Sequence, residues 1–157
     1  MAGRPKFYWD TTIFLAWLTD ETREAGEMQG VAEVVSMIDK KEAVLVTSVI
    51  TRTETLESTL SEENKGLFGA LFKRTNCLLV DVTAPISDIA HEIREYYRER
   101  GKNIKTPDST HLATAIAYQC DELHTFDGDD MLKLSGDVAG RNVTICKPKG
   151  RQGVFDY

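Results

Sequence analysis

Three short runs constrain this chain more than anything else in it: Lys6-Phe7-Tyr8-Trp9, Ala43-Val44-Leu45-Val46-Thr47 and Cys77-Leu78-Leu79-Val80-Asp81-Val82. Their apolar residues follow one another without the in-out alternation of a strand that has one wet face. Such runs read as strands buried on both sides, which is the habit of parallel sheets covered by helices. The stretches between them change to helical period. After Asp10, residues Ile13, Phe14, Trp17 and Leu18 recur on one stripe, and residues 31–41 place Val31, Val34, Val35 and Ile38 on another. Residues 20–30, charged and holding two glycines, read as a loop or a solvated helix end.

Further along, Ser48 is a cap for a helix carrying Ile50, Thr53, Glu54 and Glu57, and residues 61–74, with Leu67, Leu71 and Phe72, predict another. Residues 86–100 are amphipathic, with Ile86, Ile89, Ala90, Ile93 and Tyr97 on one side and Gly101 as the stop. Residues 122–126 and 142–146 predict two more strands. Strands separated by helices give an α/β fold with a central, mainly parallel sheet of four to five strands. The 157 residues fit one domain, 1–157, with residues 146–157 as a basic, glycine-bearing tail.

Between the third strand and its successor lies Thr106-Pro107-Asp108-Ser109-Thr110-His111-Leu112-Ala113-Thr114-Ala115-Ile116-Ala117. Thr106 is suited to cap this helix, Pro107 to its first turn, and Asp108 to the positive end of the backbone dipole. Its alanines predict burial on most sides. In open α/β sheets ligands bind beyond the carboxyl ends of the strands, around a switch in strand order. Asp10 and Asp127 end strands, Asp108 opens a helix that leads into one, and Glu54 follows one. Singly each has an ordinary explanation, as a cap, a turn residue beside Gly128, a dipole partner or an exposed helix glutamate. Together at one sheet edge they repel, and a cation between them relieves the repulsion. An all-oxygen set suits Mg²⁺ or Mn²⁺. Two such ions roughly 3.5–4 Å apart activate water and steady the leaving oxygen in phosphodiester hydrolysis. No nucleophile elbow, glycine-rich phosphate loop or dinucleotide fingerprint competes.

The net charge of -6 argues against gripping nucleic acid by bulk electrostatics, although bound metal ions supply positive charge that such a count misses. Apolar runs are too short for a membrane span and the charged start lacks a signal peptide's core, so the expected location is the cytoplasm. Cys77, Cys120 and Cys146 match no disulfide or zinc pattern and read as small buried hydrophobes.

These residues resemble the PIN-domain ribonucleases, in particular the VapC-like toxins of type II toxin–antitoxin modules. The resemblance runs from about Phe7 to Cys146. It rests on Trp9-Asp10-Thr11, Thr47-Ser48-Val49-Ile50-Thr51-Arg52-Thr53-Glu54, the Pro107 to Ala115 helix, and Leu123-His124-Thr125-Phe126-Asp127. It implies a three-layer sandwich and a Mg²⁺-dependent (or Mn²⁺-dependent) endoribonuclease with Asp10, Glu54, Asp108 and Asp127 in the acidic positions and Thr11 and Thr125 in support. It also implies a homodimer, a protein antitoxin that blocks the acidic pocket, and cleavage of transfer or ribosomal RNA leaving a 5′ phosphate. Asp129 stands where the family often has a second acid, so the implied metal set is Asp10, Asp108, Asp127 and Asp129. Asp130 follows as a further acid or as the cap of a turn at 131–134.

The remaining polar residues have plainer readings. His111 and His124 read as packing residues and His91 as surface; Arg52 is a candidate for a substrate phosphate or a solvated ion-pair partner. Lys147, Lys149 and Arg151 form a small basic cluster. Three other functions share these residues: an RNA-maturation nuclease without an antitoxin, a catalytically silent binding module of the same fold, and a phosphatase-like hydrolase. The last normally has an aspartate where this chain has Thr12.

Overall fold

A computed structural model describes residues 3–56 and 60–150. In chain order the elements are β1 (Lys6–Trp9), α1 (Thr11–Thr19), α2 (Glu27–Asp39), β2 (Val44–Ser48), α3 (Val49–Leu56), α4 (Glu62–Leu71), β3 (Cys77–Val80), α5 (Ala84–Arg98), α6 (Thr106–Ala117), β4 (Glu122–His124) and β5 (Ile145–Cys146). The strands form one sheet in the order β3-β2-β1-β4-β5, and every pairing is parallel. The α/β class and the mainly parallel sheet expected from the unalternating apolar runs are therefore observed. β1 is central, and the order reverses there: β2 and β3 build out on one side, β4 and β5 on the other.

Alternation along β1 divides the core. Phe7 and Trp9 face one side, where they pack with Ile13 and Phe14 of α1, Val34 and Ile38 of α2, and Phe68 and Leu71 of α4. Tyr8 faces the other, against Ile93 of α5 and Leu112 and Ala113 of α6. Two helical layers thus enclose the sheet. Ala113 and Ala115 are buried and add little bulk, so α6 lies close to the sheet. Among the described residues no helix is long and apolar enough to cross a membrane.

Several local expectations are corrected. α2 begins at Glu27 rather than at residue 31, so only Gly26 of the two glycines serves the loop, with φ 87°. Gly30 is buried inside the helix because the backbone of Pro148 crosses it; a Cβ there would meet the Pro148 carbonyl oxygen at 2.0 Å. Lys147 Nζ at 2.6 Å from Glu27 and the Gly150 amide donating to Glu33 tie the same strap down. On α4 it is Phe68 that enters the core, against Phe14, while Leu67 is 48 % exposed. Thr106 is inside the first turn of α6, not its cap; Lys105 takes that place, and the Thr106 hydroxyl accepts from Arg94 Nη1. β3, β4 and β5 are shorter than their apolar patterns. Glu57 and residues 151–157 of the expected tail lie outside the described residues.

The strap over Gly30 generates an opposed pair of effects. Helix propensity alone makes Gly30→Ala stabilising by about 1 kcal/mol. Overpacking against immovable backbone costs about 1–3 kcal/mol. We expect the variant to unfold at lower urea concentration than the parent; a higher midpoint would show that the strap yields freely.

Candidate active site

The reversal of strand order at β1 opens a crevice at the carboxyl ends of β1 and β4, and Asp10 and Asp127 lie just beyond those ends. Asp10 caps α1, its Oδ1 accepting from the Thr12 amide at 3.0 Å and from the Thr12 hydroxyl at 2.5 Å. Its Oδ2 accepts from the Thr125 hydroxyl. Each hydroxyl is itself held by a backbone N–H from the segment after β4: Phe126 donates to Thr12 Oγ1 and Asp127 to Thr125 Oγ1, both at 3.0 Å. Two threonines therefore staple the end of β1 to the loop that carries Asp127. Asp10 is only 4 % exposed. Burial pushes its pKa up, and His111 and the hydroxyl bonds oppose that.

Asp108 sits in the first turn of α6, half-buried. Oxygens of Asp108, Asp127 and Asp130 lie within 4.8 Å of one another. Asp130 reaches the cluster through a tight turn in which its amide donates to Asp127 Oδ1 at 3.0 Å. Burial first, then the negative charge of Asp127, with smaller contributions from Asp10 and Asp130, pushes the Asp108 carboxyl up to about 6 against the pull of His111. Three carboxylates crowded together, with no nitrogen or sulfur among them, make a donor set that fits a hard divalent cation. Asp129 is elsewhere: its side chain is 98 % exposed and points to Lys133, 4.0 Å away.

Glu54, on α3, is not one of those three. Its Oε1 accepts from Thr11 Oγ1 at 2.6 Å and meets His111 Nε2 at 2.7 Å. Burial acts to raise its pKa, but the bonds from His111 and Thr11 outweigh it and the net shift is downward. Thr11 and Thr125 thus each bond a different acid. Arg52 is exposed on α3. His111, expected to be packing, is 2 % exposed and has both ring nitrogens bonded, Nδ1 to the Tyr8 hydroxyl at 2.6 Å. Thr12, Tyr8 and His111 enter the site beyond the acids the sequence singles out, and of the neighbouring acids Asp129 and Asp130 it is Asp130 that joins the cluster. The one-turn spacing of Asp108 and His111 is the local signal for the histidine.

A second cluster, Glu122, His124 and Cys146, lies on the opposite face of the sheet. There the Trp9 indole N–H donates to His124 Nδ1 at 3.0 Å. Indole nitrogen is a donor only, so the His124 proton is on Nε2, directed at Glu122 Oε1 2.9 Å away. A metal-bound imidazole needs the reverse, a bare nitrogen towards the ion and a donor on the other side. This cluster is a hydrogen-bonded anchor for β5.

A family model described as "PIN domain" matches residues 7–136. No curated protein sequence matches the chain. Among solved structures it is similar to VapBC2 from Rickettsia felis bound to a DNA fragment from its promoter, with 16 % identity, TM-score 0.65, and 89 % of this chain and 96 % of that one covered. It is similar to FitAcB from Neisseria gonorrhoeae at 19 % identity and TM-score 0.58, covering 90 % and 97 % of the two chains. Mycobacterium tuberculosis VapC20, described as a Sarcin-Ricin loop cleaving toxin, is similar at 20 % identity and TM-score 0.58, covering 78 % and 91 %. At these identities the likeness is one of fold.

The raised Asp108 carboxyl has a consequence for stability. Its folded pKa exceeds the unfolded one, so the stability it contributes is present below about pH 4 and is lost as pH rises through about 6. In chelator, Asp108→Asn is expected to melt above the parent at pH 7, the gain vanishing below about pH 4. A variant that melts lower at pH 7 would contradict the crowding.

Proposed function

The chain belongs to the PIN-domain family, and from that premise we propose that it is a metal-dependent endoribonuclease, the toxin of a toxin–antitoxin module. The observation that carries the reading is the convergence of Asp108, Asp127 and Asp130 beside buried Asp10, at the point where the strand order reverses. Asp10, Asp108, Asp127 and Asp130 would hold Mg²⁺ or Mn²⁺, with Asp130 in the place expected for Asp129. A divalent ion bound there supplies an activated water and neutralises charge on the scissile phosphate. The protein's own groups fix the geometry. Thr12 and Thr125 hold both oxygens of Asp10, the turn at Asp127 and Asp130 keeps two acids together, and Glu54 is held ionised at the rim.

Support for the partner comes from the neighbours, which include structures described as toxin–antitoxin complexes. On this reading a protein antitoxin occludes the acidic crevice, the toxin works in the cytoplasm as a homodimer, and residues 1–157 act as one domain. The substrate class is structured RNA, transfer or ribosomal, because a neighbour of this fold is described as acting on the Sarcin-Ricin loop. The acidic chain gains its hold on phosphate through the cations it binds, not through its net charge of -6. Arg52, exposed on α3, is the candidate side chain for a flanking phosphate.

Asp10→Asn removes a buried charge while keeping a polar side chain between the two threonines. Cleavage of an RNA substrate is expected to fall by at least about 10²-fold with the circular-dichroism spectrum unchanged. Full activity in a folded Asp10→Asn protein would overturn the nuclease reading. In Mn²⁺ titration calorimetry, Asp130→Asn is expected to weaken binding more than Asp129→Asn; the opposite ranking returns the role to Asp129.

A further inference from the structure

Glu54 stands apart from the acid cluster, and the reason lies in a chain of hydrogen bonds that crosses the sheet. The Ser48 amide, at the junction of β2 and α3, donates to the Tyr8 hydroxyl oxygen at 3.2 Å. The same hydroxyl meets His111 Nδ1 at 2.6 Å. On the other side of the ring Nε2 lies 2.7 Å from Glu54 Oε1, and a carboxylate oxygen only accepts, so Nε2 donates to it. Thr11 Oγ1 donates to the same oxygen at 2.6 Å. Among the described residues Glu54 Oε2 has no hydrogen-bond partner. One oxygen of this carboxylate is thus saturated and the other is free.

We propose that Tyr8 and His111 are positioning residues that act through Glu54, fixing its Oε1 so that Oε2 faces the crevice as a proton acceptor for the attacking water. The inference rests on the nuclease reading above and adds to it a division of labour among the acids. Asp108, Asp127 and Asp130 converge to hold cations; Glu54, pinned by the imidazole Nε2–H and the Thr11 hydroxyl, does not join them. Burial makes the pinning firm. Tyr8 is 0 % and His111 2 % exposed, so water cannot substitute for either bond. Both groups are also rooted in rigid elements, Tyr8 in the central strand and His111 one turn after Asp108 on α6. The imidazole therefore relates Glu54 to the metal-holding acids through the same helix that carries one of them. A histidine packed only for volume would not need two partners at such lengths, one from β1 and one from α3.

The test combines three measurements on the full chain. Nitrogen-15 spectra of labelled histidine are expected to show a protonated Nε2 on His111, assigned by its loss in His111→Gln. His111→Leu removes the donor to Glu54, and its kcat is expected to fall roughly 10–100-fold at unchanged KM. His111→Gln restores an N–H at the position of Nε2 and is expected to regain most of that loss. Mn²⁺ affinity by calorimetry is expected to change far less in both variants than in Asp108→Asn, since His111 supplies no ligand oxygen. A bare Nε2, equal loss in Leu and Gln variants, or Mn²⁺ affinity lost in His111→Leu as fully as in Asp108→Asn would overturn the proposal. A wild type that binds Mn²⁺ yet cuts no RNA would overturn instead the reading on which it rests, whereas a wild type that cuts while His111→Leu keeps full kcat overturns this one alone.

Discussion

Both oxygens of the buried Asp10 carboxylate are held by threonine hydroxyls, and most of the site's geometry depends on that arrangement. A carboxylate this buried is costly unless its lone pairs are used. Thr12 and Thr125 use them, and each hydroxyl in turn accepts a backbone N–H from the segment that leads to Asp127. The bonds run in one direction, from loop amide to hydroxyl to carboxylate. Losing either threonine would therefore free not only an oxygen of Asp10 but also the loop that places a second acid.

The central strand distributes two further tasks through adjacent aromatic residues. Tyr8 and Trp9 point to opposite faces of β1, and each bonds Nδ1 of a buried histidine whose Nε2 meets a glutamate. On the α6 face the Tyr8–His111–Glu54 chain serves the crevice. On the α1 face Trp9–His124–Glu122 joins β4 to the base of β5, where Cys146 also donates to Glu122. The two chains have the same logic and different outcomes, because a strand only two or three residues long such as β4 or β5 needs side-chain bonds to hold it to the sheet.

The sequence made the layers legible because parallel strands buried on both faces leave runs without alternation, and helices leave their period between them. Asp10, Asp108, Asp127 and Glu54 were also legible, each marked by its position at an element's end. What escaped was decided by contacts between distant parts of the chain. Gly30 looked like loop because nothing local announces that Pro148 will lie on it. Thr106 looked like a cap, but Arg94 claimed its hydroxyl. Asp129 and Asp130 are neighbours of one type, and only the turn closed by Asp127 Oδ1 directs one inward and leaves the other in solvent. His111 read as filler because burial and spacing describe a packing residue and a hydrogen-bonded one alike.

Crowding of acids sets stability against function in this fold. Burial pushes Asp10 and Asp108 up, and neighbouring acids add to the rise at Asp108, so near neutral pH the crevice opposes the folded state that forms it. The core beneath bears that opposition: Trp9 and Phe14 meet edge to face with ring centroids 5.2 Å apart on one side of the sheet, and α5 and α6 pack around Tyr8 on the other. A cation among the carboxylates reverses the sign of their interaction and stabilises the fold by mass action, to an extent set by its concentration relative to its dissociation constant. Partial neutralisation by proton serves the same electrostatic end but removes the acceptor oxygens that coordination needs. Proton and metal therefore compete for Asp108 first, the acid that the others crowd most.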